Sequence, residues 1–176
     1  SIIYLYKRPA IEQQIAIRLW ANTEGSISIA FDKRTGLVTP NLKIACAHPN
    51  LLKDLQCLCK LNNINFVIAK NRRTWSRLSG LSSTSIISTV SFLKIGGFIH
   101  GTAIASSSKY FAGLDKQDVL LAILEFMLRQ RKQRIQRNYS KEQYYQLIQL
   151  IVINKEFKNE NYYLKTFHNF DNLIYD

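Results

Sequence analysis

Apolar residues follow two different rhythms along the first third of this chain. Ile11, Ile15 and Leu19 recur every four residues with Ala16 and Trp20 beside them, which predicts a helix over 9–23 with a broad apolar face. Pro9 suits its first position. The period then drops to two. Ile27, Ile29 and Phe31 fall on one side of a strand, and Ser26, Ser28 and Ala30 on the other. Beyond a turn-like stretch at 32–36, Leu42, Ile44 and Cys46 alternate with Asn41, Lys43 and Ala45. The two strands make a hairpin.

The same order then repeats with different residues. His48-Pro49-Asn50 breaks the strand, and Pro49 or Asn50 opens a helix whose face is Leu51, Leu52, Leu55, Leu58 and Leu61. Residues 66–70 read as a third strand, 71–73 as a turn and 74–79 as a fourth strand, giving a second hairpin. Ser82-Ser83-Thr84 reads as an N-cap cluster for a helix carrying Ile86, Ile87, Val90 and Leu93. The stretch 96–113 is rich in Gly, Ala and Ser and gives no clear element. Asp115 caps a fourth helix around Val119 to Leu128, apolar nearly all round and therefore buried. It runs into the basic segment 129–137. Ser140 and Gln143 form a capping-box pattern for a fifth helix with Tyr144, Leu147, Ile148 and Ile151 on its face. From Lys155 the chain is rich in Asn and Tyr, a tail that docks or frays.

Composition narrows the partners. With 176 residues and 47% apolar content the chain supports a folded core. Lys and Arg number 24 against 12 acidic residues, a net charge of +12. That excess points to a polyanion, nucleic acid ahead of an acidic membrane surface. The three cysteines are odd in number, and Cys57-x-Cys59 is too tight for an ordinary disulfide or zinc knuckle. Cys46, Cys57 and Cys59 read as small core residues in a reducing, intracellular compartment. With only His48, His100 and His168, no His/Cys zinc site is evident. No apolar run reaches the roughly 18 residues of a membrane helix, and the N-terminal charges follow the apolar run rather than precede it, the wrong order for a signal peptide.

One local feature is out of place. The first helix ends in Asn22-Thr23-Glu24-Gly25. Glycine after a helix is an ordinary stop, but a carboxylate at that end faces the negative pole of the macrodipole. A compensating cation would remove the conflict.

The order helix, two strands, helix, two strands, helix, with the first helix closing on an acidic residue and Gly, resembles the LAGLIDADG homing endonuclease family. The resemblance covers roughly residues 9–130. Its motif here is Ile17-Arg18-Leu19-Trp20-Ala21-Asn22-Thr23-Glu24-Gly25, in which Arg18 and Leu19 stand where the family has small residues and Asn22 replaces an acidic one. The resemblance implies an α+β fold, αββαββα, with a four-stranded antiparallel DNA-binding sheet and extra C-terminal helices. It divides the chain into an endonuclease core at 1–138 and a helical extension at 139–176.

The resemblance also implies an activity: site-specific double-strand DNA cleavage by an intron-encoded homing endonuclease, hydrolysing phosphodiesters with a divalent metal. Two motif helices pair at a twofold axis, so one motif per chain implies a homodimer and a pseudo-palindromic DNA target. Ile15, Arg18, Leu19 and Asn22 would lie in that interface. Glu24 and the Thr23 carbonyl would help hold Mg²⁺ or Mn²⁺, with Ca²⁺ a non-productive substitute. His48 would position the attacking water or relay a proton, or else satisfy the Pro49 turn. Lys116 best fits the place of a lysine that polarises the scissile phosphate, with Lys94 its rival. Ser26, Ser28, Ala30, Asn41 and Lys43 on the first hairpin, and Lys70, Arg72, Arg73, Trp75 and Arg77 on the second, would face DNA. Lys33 and Arg34 would touch backbone at a hairpin tip, and Trp75 has a second reading as a core or edge anchor. The alternative is a catalytically silent nucleic-acid-binding protein of the same fold, an RNA maturase or a regulator. No membrane partner is expected.

Overall fold

The structure is a computed structural model describing residues 1–32, 35–133 and 139–168. Among these residues the fold is α+β, with six α-helices and one four-stranded antiparallel sheet. A 3-10 turn, Ile3–Lys7, precedes helix α1 (Ala10–Glu24). Strands β1 (Gly25–Phe31) and β2 (Val38–Ala45) follow, then α2 (Pro49–Leu61), β3 (Val67–Lys70), β4 (Leu78–Ser83) and α3 (Ile86–Lys94). The last described elements are α4 (Lys116–Gln133), α5 (Lys141–Ile153) and α6 (Glu160–His168). The sheet order is β1-β2-β4-β3. β4 pairs antiparallel with both neighbours, Leu42 opposite Ser83 on one side and Val67 opposite Ser82 on the other.

By compactness the chain divides into two units, residues 1–26 with 41–99, and residues 27–40 with 100–176. In the first, α2 packs on α1, β3 and β4 through Leu52, Leu55 and Leu58, each fully buried. Each such leucine stabilises the fold by about 1.5–3 kcal/mol. Cys59 is buried beside them, and burial pushes its thiol up to about 12. Cys57 is exposed and Cys46 only half-buried, so the cysteines are not uniformly core residues as the apolar pattern suggested.

The face of α1 is the largest departure from the sequence reading. Its buried row is Gln13, Ile17 and Ala21, while Ile11, Ile15 and Leu19 are 62%, 48% and 52% exposed. Gln13 tolerates burial because it is satisfied. Its Nε2 donates to the carbonyls of Tyr6 (3.2 Å) and Arg8 (2.9 Å), and its Oε1 accepts from Asn62 Nδ2 (3.0 Å).

The fourth strand is also displaced. It begins at Leu78 rather than Thr74, because residues 71–77 close on themselves as a loop. Ser82 and Ser83 are strand residues, and the cap of α3 is Ser85, whose hydroxyl oxygen accepts from Ser88 N–H at 3.3 Å.

In the second unit α4 packs on α5 and α6. The run from Val119 to Leu124 is buried without a break, as its uniform hydrophobicity predicts. Asp115 caps α4, its Oδ1 accepting from Gln117 N–H (2.8 Å) and Asp118 N–H (3.0 Å). The capping box of α5 is formed: Gln143 N–H donates to Ser140 Oγ (3.2 Å) and Ser140 N–H to Gln143 Oε1 (2.7 Å). The Asn- and Tyr-rich segment docks as α6, burying Tyr163 and Phe167. Within this unit the distal part of the β1–β2 hairpin is anchored too. Val38 N–H donates to Gln130 Oε1 (2.9 Å), Ile29 N–H to Tyr145 Oη (3.4 Å), and Phe31 lies 5.1 Å from Tyr144. Phe31 is nevertheless 37% exposed, less buried than its place in the alternation predicts.

Candidate functional site

The site is built at the C-terminal end of α1. The helix passes directly into β1 with no intervening loop, Gly25 being both the helix cap and the first strand residue. Glu24 is exposed at that junction. Among the described residues no ion pair engages its carboxylate. Thr23, also exposed, turns its hydroxyl back to the Leu19 carbonyl (3.1 Å) and the Trp20 carbonyl (3.3 Å). Its own carbonyl lies in the last turn, where helical N–H partners run out. An open concavity of about 580 Å³ lies here, lined by Ala16, Leu19, Trp20, Thr23, Glu24, Ala45 and Cys46.

Two of the four residues expected at a helix-pairing surface are occupied within the chain. Arg18 Nε donates to the Gly97 carbonyl (3.0 Å). Asn22 Oδ1 accepts from Ile99 N–H (2.9 Å), and its Nδ2 donates to the Arg18 carbonyl (2.6 Å). These bonds hold the segment after α3 against α1. Ile15 and Leu19, with Ile11, leave an exposed apolar row one residue wide.

His48 is exposed and caps α2, its Nδ1 accepting from Leu51 N–H (3.4 Å). A backbone N–H can only donate, so the neutral ring carries its proton on Nε2. In that state the outward nitrogen is a donor, suited to orienting a water or a phosphate oxygen rather than to accepting a proton.

On the first hairpin Ser26 and Lys43 are exposed and Ser28, Ala30 and Asn41 half-buried, while Ile27, Ile29, Leu42 and Ile44 are buried, so the alternation holds for these residues and fails at Phe31, which is exposed, and Cys46, which is half-buried. Lys33 and Arg34 lie outside the described residues, as do Arg134 and Arg137 of the basic run. Lys70 is exposed at the end of β3. Arg72, Arg73, Trp75 and Arg77 are exposed, but on the loop rather than on a strand face. Trp75, 75% exposed, is therefore not a core anchor. Lys116 is buried, 6% exposed, at the first position of α4. Lys94, the last residue of α3, is exposed and belongs to the same unit as Glu24.

A second cluster escaped the sequence reading because it brings His100, in the unassigned stretch 96–113, to Asp115 and Asp118 at the start of α4. One ligand atom each of His100, Asp115 and Asp118 fall within 4.8 Å of one another. Their chemistry is already satisfied. Asp115 accepts from three backbone N–H groups, of Gly101, Gln117 and Asp118. Asp118 pairs with Lys155, and His100 Nε2 is 2.8 Å from Glu160 Oε1. The arrangement is a helix cap tied to α6 rather than an open donor set.

Comparison with family models, curated proteins and solved structures finds no match for this chain. No described helix is long and apolar enough to cross a membrane.

Proposed function

We propose that this chain is a metal-dependent, site-specific DNA endonuclease of the LAGLIDADG type, acting as a homodimer. The observation that carries the reading is the α1–β1 junction: an exposed carboxylate without an ion-pair partner, at the negative end of a helix, beside an exposed apolar row on that same helix. Paired α1 helices would cover Ile11, Ile15 and Leu19 and bring two Glu24 carboxylates together. The sheet order and the polar outer face of the first hairpin are consistent with a surface laid along a duplex.

A hard divalent cation takes six or more oxygen ligands. One chain offers the Glu24 carboxylate and the Thr23 carbonyl, both oxygen donors and so of the right class. A second copy, phosphate oxygens and water would complete the shell. Such an ion supplies charge neutralisation for a phosphodiester and lowers the pKa of bound water. The chain's own groups then have definite tasks. His48 Nε2–H donates to a water or phosphate oxygen, Lys94 supplies an exposed ammonium, and Lys43, Lys70, Arg72 and Arg73 hold backbone phosphates.

His48 uses Nδ1 to cap α2 and so, when neutral, offers its outward nitrogen as a donor rather than as a general base. That observation favours, as the second reading, a binder of the same fold that does not cut. A cleavage assay with Mg²⁺ on DNA spanning the host gene's insertion point decides between them. Wild type should cut and Glu24→Gln should bind without cutting. Equal cutting by both would remove Glu24 from the site, and binding without cutting by wild type would leave the binder.

A further inference from the structure

The loop from Asn71 to Arg77 is closed by its own backbone and small polar side chains. Asn71 N–H donates to the Arg77 carbonyl (2.9 Å), Arg77 N–H to the Thr74 carbonyl (3.0 Å), and Thr74 N–H to the Asn71 carbonyl (3.3 Å). The Thr74 hydroxyl reaches the Leu78 carbonyl (2.7 Å), and Asn71 Oδ1 accepts from Arg73 N–H (3.0 Å). Ser76 ties the loop to the segment after β2, its hydroxyl donating to the Ala47 carbonyl. Arg77 takes a left-handed φ of 59°, an arrangement an L-residue adopts only where its surroundings enforce it.

This closure sorts the side chains. Asn71, Thr74 and Ser76 turn in, while Arg72, Arg73, Trp75 and Arg77 turn out and are exposed. Trp75 is the most exposed large apolar residue among those described, its ring lying edge-on to His48 at 6.4 Å between centroids. A tryptophan offers about 150–250 Å² of burial, and here most of it is left bare on a fixed support. No ion pair among the described residues engages Arg72, Arg73 or Arg77. An aromatic plane flanked by unpaired guanidinium groups matches a π-face flanked by phosphates, and the preformed loop removes the entropy of ordering it.

We propose that Trp75 stacks on an accessible nucleobase, one extruded or unstacked from the nucleic acid, while Arg72, Arg73 and Arg77 hold the flanking phosphates. The inference rests on the nucleic-acid-binding part of the proposed function and is independent of cleavage.

The test titrates the full chain with three probes: a short mixed-sequence duplex carrying one bulged adenine, the same duplex fully paired, and inorganic polyphosphate, which has charge without bases. The bulged duplex should quench tryptophan fluorescence, and Trp75→Phe, which leaves Trp20 as the one indole, should abolish that quenching. Trp75→Ala should bind the bulged duplex roughly 5- to 150-fold more weakly, with polyphosphate affinity unchanged. Trp75→Phe should keep most of the affinity. Arg72→Ala/Arg73→Ala should weaken DNA and polyphosphate alike and flatten the salt dependence. Wild-type affinity of Trp75→Ala for the bulged duplex, or equal quenching by polyphosphate, would overturn the stacking while leaving DNA binding intact. A folded wild type that binds neither duplex at low salt would overturn the nucleic-acid reading and this inference together.

Discussion

Gly25 lies hard against Ala21: a Cβ at residue 25 would stand 2.1 Å from the Ala21 carbonyl oxygen. The chain leaves the helix at φ −84°, ψ 148°, directly into the strand, so the close approach and not a left-handed turn demands the glycine. This contact fixes where Glu24 stands relative to both helix and sheet.

Gly25→Ala is accordingly expected to destabilise the fold by about 2 kcal/mol or more, since backbone must move to admit the methyl group. Urea unfolding measures it, and any DNA cleavage should fall with it because the Glu24 carboxylate is displaced. A variant as stable as wild type would show that the junction relaxes without strain.

The exposed row on α1 predicts a separation of assembly from folding. Ile15→Asp/Leu19→Asp changes two side chains that are 48% and 52% exposed, so the single chain should stay folded, with a thermal midpoint lowered only modestly by the weaker helix propensity of Asp. The mass by analytical ultracentrifugation should drop from two chains to one, and cleavage should vanish. A wild type that sediments as one chain even on DNA would end the homodimer reading.

Asp115 joins two elements by capping α4 and accepting from Gly101 N–H. Asp115→Ala should lower stability by about 1–2 kcal/mol, and Asp115→Asn by less because its side-chain oxygen still caps. If divalent metal raises the wild-type midpoint and Asp115→Ala cancels that rise, the cluster with His100 and Asp118 is a metal site after all.

Glu160 gives a pH dependence. Burial opposes its ionised form, but its own backbone N–H, His100 and Gln117 together outweigh that and hold the carboxyl below the ordinary range. A folded-state pKa below the unfolded one adds stability that is present above the unfolded pKa and is lost as pH falls through the folded one. Acid unfolding should therefore show Glu160→Gln less stable than wild type near neutrality, with the difference closing below about pH 4. A constant difference across that range would place the effect in packing instead.

Much of the fold was legible because local signals agreed with tertiary need. Asp115 and the Ser140–Gln143 pair cap the helices they mark, and the uniformly apolar run after Val119 is buried. Ile27, Ile29, Leu42 and Ile44 face inward as period two requires. The misses have physical causes. Thr74 to Arg77 alternates like a strand, but its side-chain hydroxyls and the left-handed Arg77 close a loop first, moving β4 to Leu78. Lys116, expected from the resemblance to reach a scissile phosphate, is instead buried at the start of α4.

The sequence by itself determined the alternation of helices and hairpins, the caps of α4 and α5, the basic charge and a carboxylate at a helix end, because each depends on residues a turn or a pleat apart. Only the tertiary structure decided which face of α1 is buried. Ile11, Ile15 and Leu19 form the better apolar row, yet Gln13 turns inward because Tyr6, Arg8 and Asn62 satisfy it there. Those partners are set by the folding of the whole unit. The row left exposed and the bare indole of Trp75 are among the apolar surfaces that the core does not cover.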